Sequence, residues 1–560
     1  MRKPLLALFV FFVITGFRSA AQQSYPSGYF ISPVDFPISL SGTFAELRSN
    51  HFHSGIDIRT QGAEGKKIVA CADGYVSRIK VSPYGFGKAL YITHPNGFTT
   101  VYGHLRSYNP TIDAWVKSEQ YRLEQFDVDL FPPKNLLTVK QGELICYSGN
   151  SGSSQGPHLH FEIRHSGNEW PVDPLLFGIP VKDFVRPVIT TVRLYPEGET
   201  SAVNGKITPL DFETAGWGPV YRLKNQDTIR ISGSFSLGLQ AHDLQSGSNN
   251  KNGISSIAVY VDSVLRFSWE AETFSFPETR YINSLIDYAQ YIKNGQRFIR
   301  TKILPNSQLS MYKYAGQHGI FEVKPGVQAS IKMVVSDAQK NESVMRFVVK
   351  GEEKGKTTAM APDSRPLFSC KKANTFQEKD IQLRIPANGL YEDLNFTYKV
   401  LKRLPASCSA LHQLHSPDVP LHDYADISVT VDSAFRYLGN KLVIANVKQG
   451  KKPVSVGGKF ENGKINGRIR EFGQYTVMAD TTAPVIIALN ISDGKNISSQ
   501  KSIRMAISDN FSGIQTYRGT LNGQWILMDY DAKNRLLEYQ FDDRLIKGKN
   551  EFILTVEDGC

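Results

Sequence analysis

Two histidines two residues apart follow a loop of glycines and serines in GNSGSSQGPHLHFEI, Gly149–Ile163. Side chains at i, i+2 and i+4 of a strand share one face. His158, His160 and Glu162 therefore project together, while Leu159, Phe161 and Ile163 fill a core on the other side. A second group lies upstream in NHFHSGIDI, Asn50–Ile58. In an extended segment His53, Gly55 and Asp57 face one way, with Gly55 leaving room between imidazole and carboxylate. A third, VYGHL, sets His104 at the end of the β-prone run ALYITHPNGFTTVYGHL. Neutral imidazole and carboxylate are zinc ligands, and a catalytic zinc takes three from the protein and keeps a fourth position for water. His53, Asp57 and one histidine of the 158/160 pair make up such a set.

Each piece alone has a plainer use. A lone His-x-His on a strand is usually a polar face, and HxxxD alone says less. His51 and His165 have no partner spacing and read as surface or supporting residues, and His94 in the turn THPNG reads as structural. The weight lies in the composite, with HxGxD, YGHL and GPHLHFE in that order inside one segment. Seven of the twelve histidines fall between His51 and His165, which marks that segment as the chemical one.

The elements that must position these groups are strands. At 560 residues the chain is too long for one core, and three to four domains is the expectation. Forty-five glycines and 28 prolines, with many Tyr, Val, Ile and Thr, favour strands and turns. Residues 1–21 have the form of an export signal: Arg2 and Lys3, the 13-residue apolar run Leu5–Phe17, then Ser19-Ala20-Ala21 before Gln22. The run is short for a membrane span, which needs roughly 20 residues. The expected mature protein is exported, periplasmic or secreted, and not membrane-spanning.

The formal net charge is +11; Arg2, Lys3 and Arg18 leave with the signal, and the remaining +8 is spread without a basic run. That favours an anionic surface such as a cell wall and argues against nucleic acid. The five cysteines lack the CxxC spacing of a structural zinc site; Cys71–Cys146 and Cys370–Cys408 are the disulfides that shared domains would allow.

Residues 22–180 form the histidine-rich domain. After Pro180 the texture turns to alternating strand patterns, and two segments echo each other. RPVITTVRLYP resembles APVIIALNIS, AHDLQSG with its following strand resembles AISDNFSGIQTYRG, and IKMVVSDAQKNES resembles FILTVEDGC. These read as two copies of one immunoglobulin-like β-sandwich, 186–350 and 483–560, the first enlarged around Phe274–Gly319 and the second one strand shorter. A polar linker (351–366) and another β-rich domain (367–482) separate them. The D-x-x-S-G pieces carry oxygen ligands suited to calcium, but Asx-type turns are their commoner use. The expected fold class is mostly β.

HFHSGIDI, VACADGYV, YGHL and GELICYSGNSGSSQGPHLHFEIR resemble the lysostaphin-type zinc metallopeptidases, the peptidoglycan endopeptidase family, over about residues 50–177. The resemblance implies an antiparallel β domain with a groove over one zinc ion per chain, held by His53, Asp57 and His160, with His104 and His158 as catalytic histidines. It implies hydrolysis of peptide bonds in peptidoglycan stems or cross-links through a metal-activated water. Of the two catalytic histidines, one is expected to orient or deprotonate the water and the other to stabilise the oxyanion and protonate the leaving amine; His158 is favoured for the water and His104 for the oxyanion. Glu162 is expected to hold a ligand histidine in place. The chain departs from the family in a long insertion, 107–138, which is a lid, a docking surface or a block on the groove.

Two other classes compete. A catalytically silent relative would bind cell wall or activate another hydrolase, but such relatives lose ligands and all five residues stand here. An adhesin or scaffold would place the biology in the β-rich tail, residues 186–560.

Overall fold

A computed structural model describes residues 25–216, 218–225, 228–353 and 364–560. The export-signal segment and most of the expected linker lie outside these residues. The chain is mostly β. Among the described residues no helix is long and apolar enough to cross a membrane.

The histidine-rich segment builds one antiparallel sheet. Its first strands are β1 (Leu40–Gly42), β2 (Ile56–Arg59), β3 (Lys67–Val69), β4 (Gly74–Val81), β5 (Lys88–Thr93) and β6 (Phe98–Tyr108). Helix α1 (Pro110–Leu123) follows, then β7 (Val128–Leu130), β8 (Thr138–Val139), β9 (Leu144–Ser148) and β10 (His158–His165). The main path runs β1-β2-β10-β6-β5-β4-β7, so the strand carrying the histidine pair is central. The period-2 pattern works as expected: Leu159, Phe161 and Ile163 are fully buried in the core, with His158, His160 and Glu162 on the opposite face.

The expected insertion contains α1. Asn109 caps it by accepting the Ile112 N–H at 2.9 Å, Pro110 opens the first turn, and Glu124 closes the helix in the left-handed region. The helix is a docking surface for the chain's own C-terminal module. Tyr121 packs edge-on against Trp525 with ring centres 5.2 Å apart and donates its hydroxyl hydrogen to Asp542. Lys117 pairs with Asp542 at 3.3 Å, and Glu124 pairs with Arg518 at 2.5 Å. The apolar core of the sheet is continuous with Ile503, Met505, Leu537 and Tyr539 of that module.

Strands between Val188 and Glu352 form a second assembly, in which Thr228–Leu244 pairs with both Val188–Val203 and Glu342–Glu352. Its core takes in Phe44 and Phe52 from the first domain, and Phe274 packs on both, with ring centres 5.4 and 5.6 Å away. The next segment folds as two five-stranded sheets and a small two-stranded one, and the last as a four-stranded and a three-stranded sheet. All five cysteines are free, and the four within the domains are buried thiols, so neither expected disulfide forms.

Candidate metal centre

The site is assembled by register. On β10, His160 stands directly opposite Asp57 of β2 on one side and Gly103 of β6 on the other. Gly103 is small where a side chain would crowd the His160 ring: an added Cβ would lie 3.3 Å from His160 Cβ. His104 follows it with φ at 59°, a left-handed residue that interrupts the pleat inside β6, so the expected strand end falls later, at Tyr108. Gly55 has a different reason from the expected one. An added Cβ there would come within 2.3 Å of the Phe161 carbonyl oxygen, so glycine lets the HxGxD segment press against the backbone of β10.

Three atoms converge. His53 Nε2 lies 3.0 Å from Asp57 Oδ1 and 3.1 Å from His160 Nδ1, and His160 Nδ1 lies 3.0 Å from Asp57 Oδ1. The other ring nitrogens are occupied. His53 Nδ1 sits 2.8 Å from the Thr43 carbonyl oxygen, which only accepts. His160 Nε2 sits 2.8 Å from Glu162 Oε1. With hydrogens committed outward, the inward nitrogens carry lone pairs, and a carboxylate oxygen completes the triangle. Three lone pairs at such separations need a proton or a cation among them. Ligands held tetrahedrally at the usual zinc distances stand about 3.3 Å apart, close to this triangle, and the nitrogen–nitrogen–oxygen set suits zinc. The residues fit the metal.

The charges agree. Burial opposes ionisation of Asp57, but the neighbouring His53, with His158 and His160, outweighs it and holds the carboxyl well below its usual range. Burial alone would lower His160, but Asp57 and Glu162 overcome it and push the ring up to about 9. Glu162 is fully buried. It accepts from Ser54 Oγ and from Arg164 Nε, each at 2.5 Å, so the carboxylate behind His160 stays ionised.

His158 and His104 stand beside the triangle, their rings 4.7 Å apart. His158 Nε2 approaches Asp57 Oδ1 at 3.4 Å, while its Nδ1 donates to the Gly156 carbonyl at 2.9 Å. His104 Nδ1 donates to the Ser151 carbonyl at 2.9 Å. The glycine- and serine-rich loop thus holds both histidines by backbone carbonyls. Burial, with His160 and His158 nearby, pushes His104 down to about 3, so its ring stays neutral.

The remaining histidines lie elsewhere. His94 bonds the Asp73 carbonyl and Thr100, His165 packs on Phe98, and His51 is exposed. Four neighbours were not legible. Phe86 stacks on His160 with ring centres 4.6 Å apart, Arg48 donates to Asp57 Oδ2 at 3.2 Å, and Thr43 and Ser54 support the ligands. Only Arg48, a cation near the HxGxD segment, offered a sequence signal.

The family model for Peptidase family M23 matches residues 51–121 and 134–174, and a Zu5-like domain matches residues 365–480. The chain is 28% identical over 163 residues to the DD-carboxypeptidase/endopeptidase Mpg of Neisseria meningitidis, covering 29% of this chain and 28% of that protein. It is 31% identical over 125 residues to the murein hydrolase activator NlpD of Escherichia coli, covering 22% and 26%. The catalytic domain of the prophage-encoded M23 protein EnpA from Enterococcus faecalis, solved as a point mutant, is similar at 25% identity. The match covers 27% of this chain and 99% of that one, with a TM-score of 0.21. The chain thus spans little more than a quarter of the length of these curated relatives. Between residues 51 and 174 it carries a lysostaphin-type domain of Peptidase family M23.

Proposed function

We propose that the protein is an exported zinc endopeptidase that hydrolyses peptide bonds in peptidoglycan. His53 Nε2, Asp57 Oδ1 and His160 Nδ1 hold one zinc ion, and the observation that carries the reading is their convergence with every outward nitrogen already bonded. When bound, zinc polarises a scissile carbonyl and acidifies a water. Similarity to Mpg and the mild basic charge support peptidoglycan as the substrate and the cell envelope as the location.

The chain's own groups then handle protons. His158 and His104, each with Nδ1–H donated to a carbonyl, present Nε2 lone pairs beside the ligands. His158 takes a proton at Nε2 from the attacking water and returns it to the leaving amine. His104 departs from the oxyanion role expected of it from the sequence. A donor to an oxyanion needs a hydrogen on Nε2, and a ring pushed down to about 3 with Nδ1–H already committed lacks one near neutrality. We assign it to orienting the water as a neutral acceptor. Glu162 and Thr43 fix the ring planes of the two ligand histidines, and the loop from Gly149 to Gly156 lets a peptide backbone come close.

The test measures zinc content and release of peptides from purified peptidoglycan by the chain from Gln22 onward, for wild type and His160→Ala. One zinc per chain, with release lost in the variant, is the expected result. Zinc without release in the wild type would favour a hydrolase activator, the role named for NlpD. No zinc would refute the reading.

A further inference from the structure

The internal repeat brings three aspartates together twice. Asp183 lies five residues before the strand Val188–Val203, Asp243 near the end of Thr228–Leu244, and Asp337 directly after Gln328–Ser336. In the second copy Asp480 lies five residues before Val485–Ala488, Asp509 follows Ser502–Ser508, and Asp558 ends Phe552–Asp558. The wiring repeats as well. Asp183 accepts the N–H of Val185 and of Ser246, both at 3.0 Å. Asp480 accepts the N–H of Thr482 at 3.3 Å and of Ser512 at 2.9 Å. Within each triad one oxygen per carboxylate lies within 4.8 Å of the others.

The first triad is the more buried, and more than carboxylates meet there. It lines a cavity of about 20 Å³ together with Asn252, which is only 3% exposed. Neither the oxygen nor the nitrogen of the Asn252 amide has a hydrogen-bond partner among the described residues, and neither has Asp243 Oδ1. No Lys, Arg or His forms an ion pair with Asp183, Asp243 or Asp337 among the described residues. Gathering three carboxylates without a counter-ion opposes their ionisation, and an orphaned buried amide is costly as well. Burial and then the Asp337 and Asp183 carboxylates push Asp243 up to about 8, a measure of that crowding.

We propose that Asp183, Asp243 and Asp337, completed by the Asn252 side-chain oxygen, bind a calcium ion at the junction of the peptidase domain and the first β-sandwich. The donors are all oxygens, which excludes the softer metals that prefer nitrogen and sulfur. Calcium ligands lie about 2.3–2.6 Å from the ion, so oxygens on opposite sides stand roughly 4.6–5.2 Å apart, as the triad allows. Magnesium keeps several waters, and the cavity has room for about one such particle.

The same cavity is lined by Leu40 and Thr43 of the peptidase domain. Gln245, two residues beyond Asp243, accepts from the Leu40 N–H at 2.7 Å and donates to the Ile38 carbonyl at 3.1 Å. Gly253, next to Asn252, donates its N–H to Thr43 Oγ1 at 3.0 Å, and the Thr43 carbonyl holds His53. An ion here ties the sandwich to the segment that carries the first zinc ligand.

The experiment strips the chain from Gln22 onward with a calcium chelator, then titrates it with calcium chloride by calorimetry and thermal melting, with magnesium chloride as comparison. The wild type is expected to bind calcium at or below about 1 mM, the range of extracellular modules, and to melt higher with calcium but not with magnesium. Asp243→Asn and Asp337→Asn are expected to weaken that binding at least about tenfold, whereas His160→Ala retains it. If either aspartate variant fails to fold, Asp183→Asn replaces it. No calcium binding by the wild type overturns the proposal. So does binding unchanged in the aspartate variants, or lost in His160→Ala alone.

Discussion

Zinc uptake at the candidate centre should be coupled to loss of one proton, and the size of that coupling follows from the geometry. Without metal, His160 is pushed up to about 9, because Asp57 and Glu162 outweigh the effect of burial. Its Nε2–H is committed to Glu162, so the proton that competes with zinc sits on Nδ1, inside the triangle. A raised value means that the protonated ring dominates below about 9 and that competition fades as pH rises through it. At pH 7, two pH units lower, displacing the proton costs about 2.7 kcal/mol, or roughly a hundredfold in affinity. Asp57 stays ionised throughout and adds no competition. Apparent zinc affinity should therefore climb about tenfold per pH unit from 7 to 9 and then flatten. Competition against a chromophoric chelator measures the slope. Calorimetry at pH 7 in buffers of different ionisation heat should show about one proton released per zinc. Affinity that stays flat between pH 7 and 9, with no proton released, would refute the placement of that proton and of His160 Nδ1 as a ligand atom.

Other outcomes follow from the same contacts. Glu162→Gln removes one of the two carboxylates that pair with Arg164, which is only 4% exposed and keeps Glu169 at 3.3 Å, and should lower stability by about 1–3 kcal/mol in denaturant titrations. The same change should weaken zinc binding about 10- to 100-fold. His158→Ala and His104→Ala should each keep one zinc per chain yet slow peptide release by about 10²- to 10⁴-fold, which elemental analysis and product quantitation separate. Ending the chain after Pro180 should expose Phe44 and Phe52, costing about 3–6 kcal/mol of burial, and give an aggregating fragment in size-exclusion chromatography. A monomeric fragment that melts like the full chain would count against that packing.

The sequence showed the site more fully than the structure around it. Alternation on β10 follows from the period of a strand, so the partition of His158, His160 and Glu162 from Leu159, Phe161 and Ile163 needed no coordinates. Register was another matter. That His160 faces Asp57 across two strands more than a hundred residues apart depends on long-range pairing, which no local pattern encodes. Gly55 shows the same limit, since its need for a bare Cα comes from the Phe161 carbonyl of a distant strand. The repeat pointed to paired modules, but the convergence of its aspartates around Asn252 became visible only in three dimensions. Cys71 and Cys146 share a domain, as expected, yet remain separate thiols inside one apolar core.

The three-dimensional arrangement also shows what the β-rich tail touches. Each wall of the candidate centre leans on a different later segment. The His53 side rests on the first β-rich module through Phe274 and through Thr279, which accepts the Phe52 N–H at 2.9 Å. The loop that holds His104 and His158 rests on the last module, where Lys533 donates to the carbonyls of Asn150 and Ser154. Lys88, whose N–H bonds Ser151 Oγ at 2.9 Å, pairs through its ammonium with Asp529 of that module at 2.7 Å. A catalytic constellation needs placement within a fraction of an ångström, and loops hold such placement only when packed from behind. The later β-rich segments therefore back the segments that carry these histidines, and a substitution far along the chain, at Lys533 or Phe274, is expected to disturb the same ring positions as one made beside them.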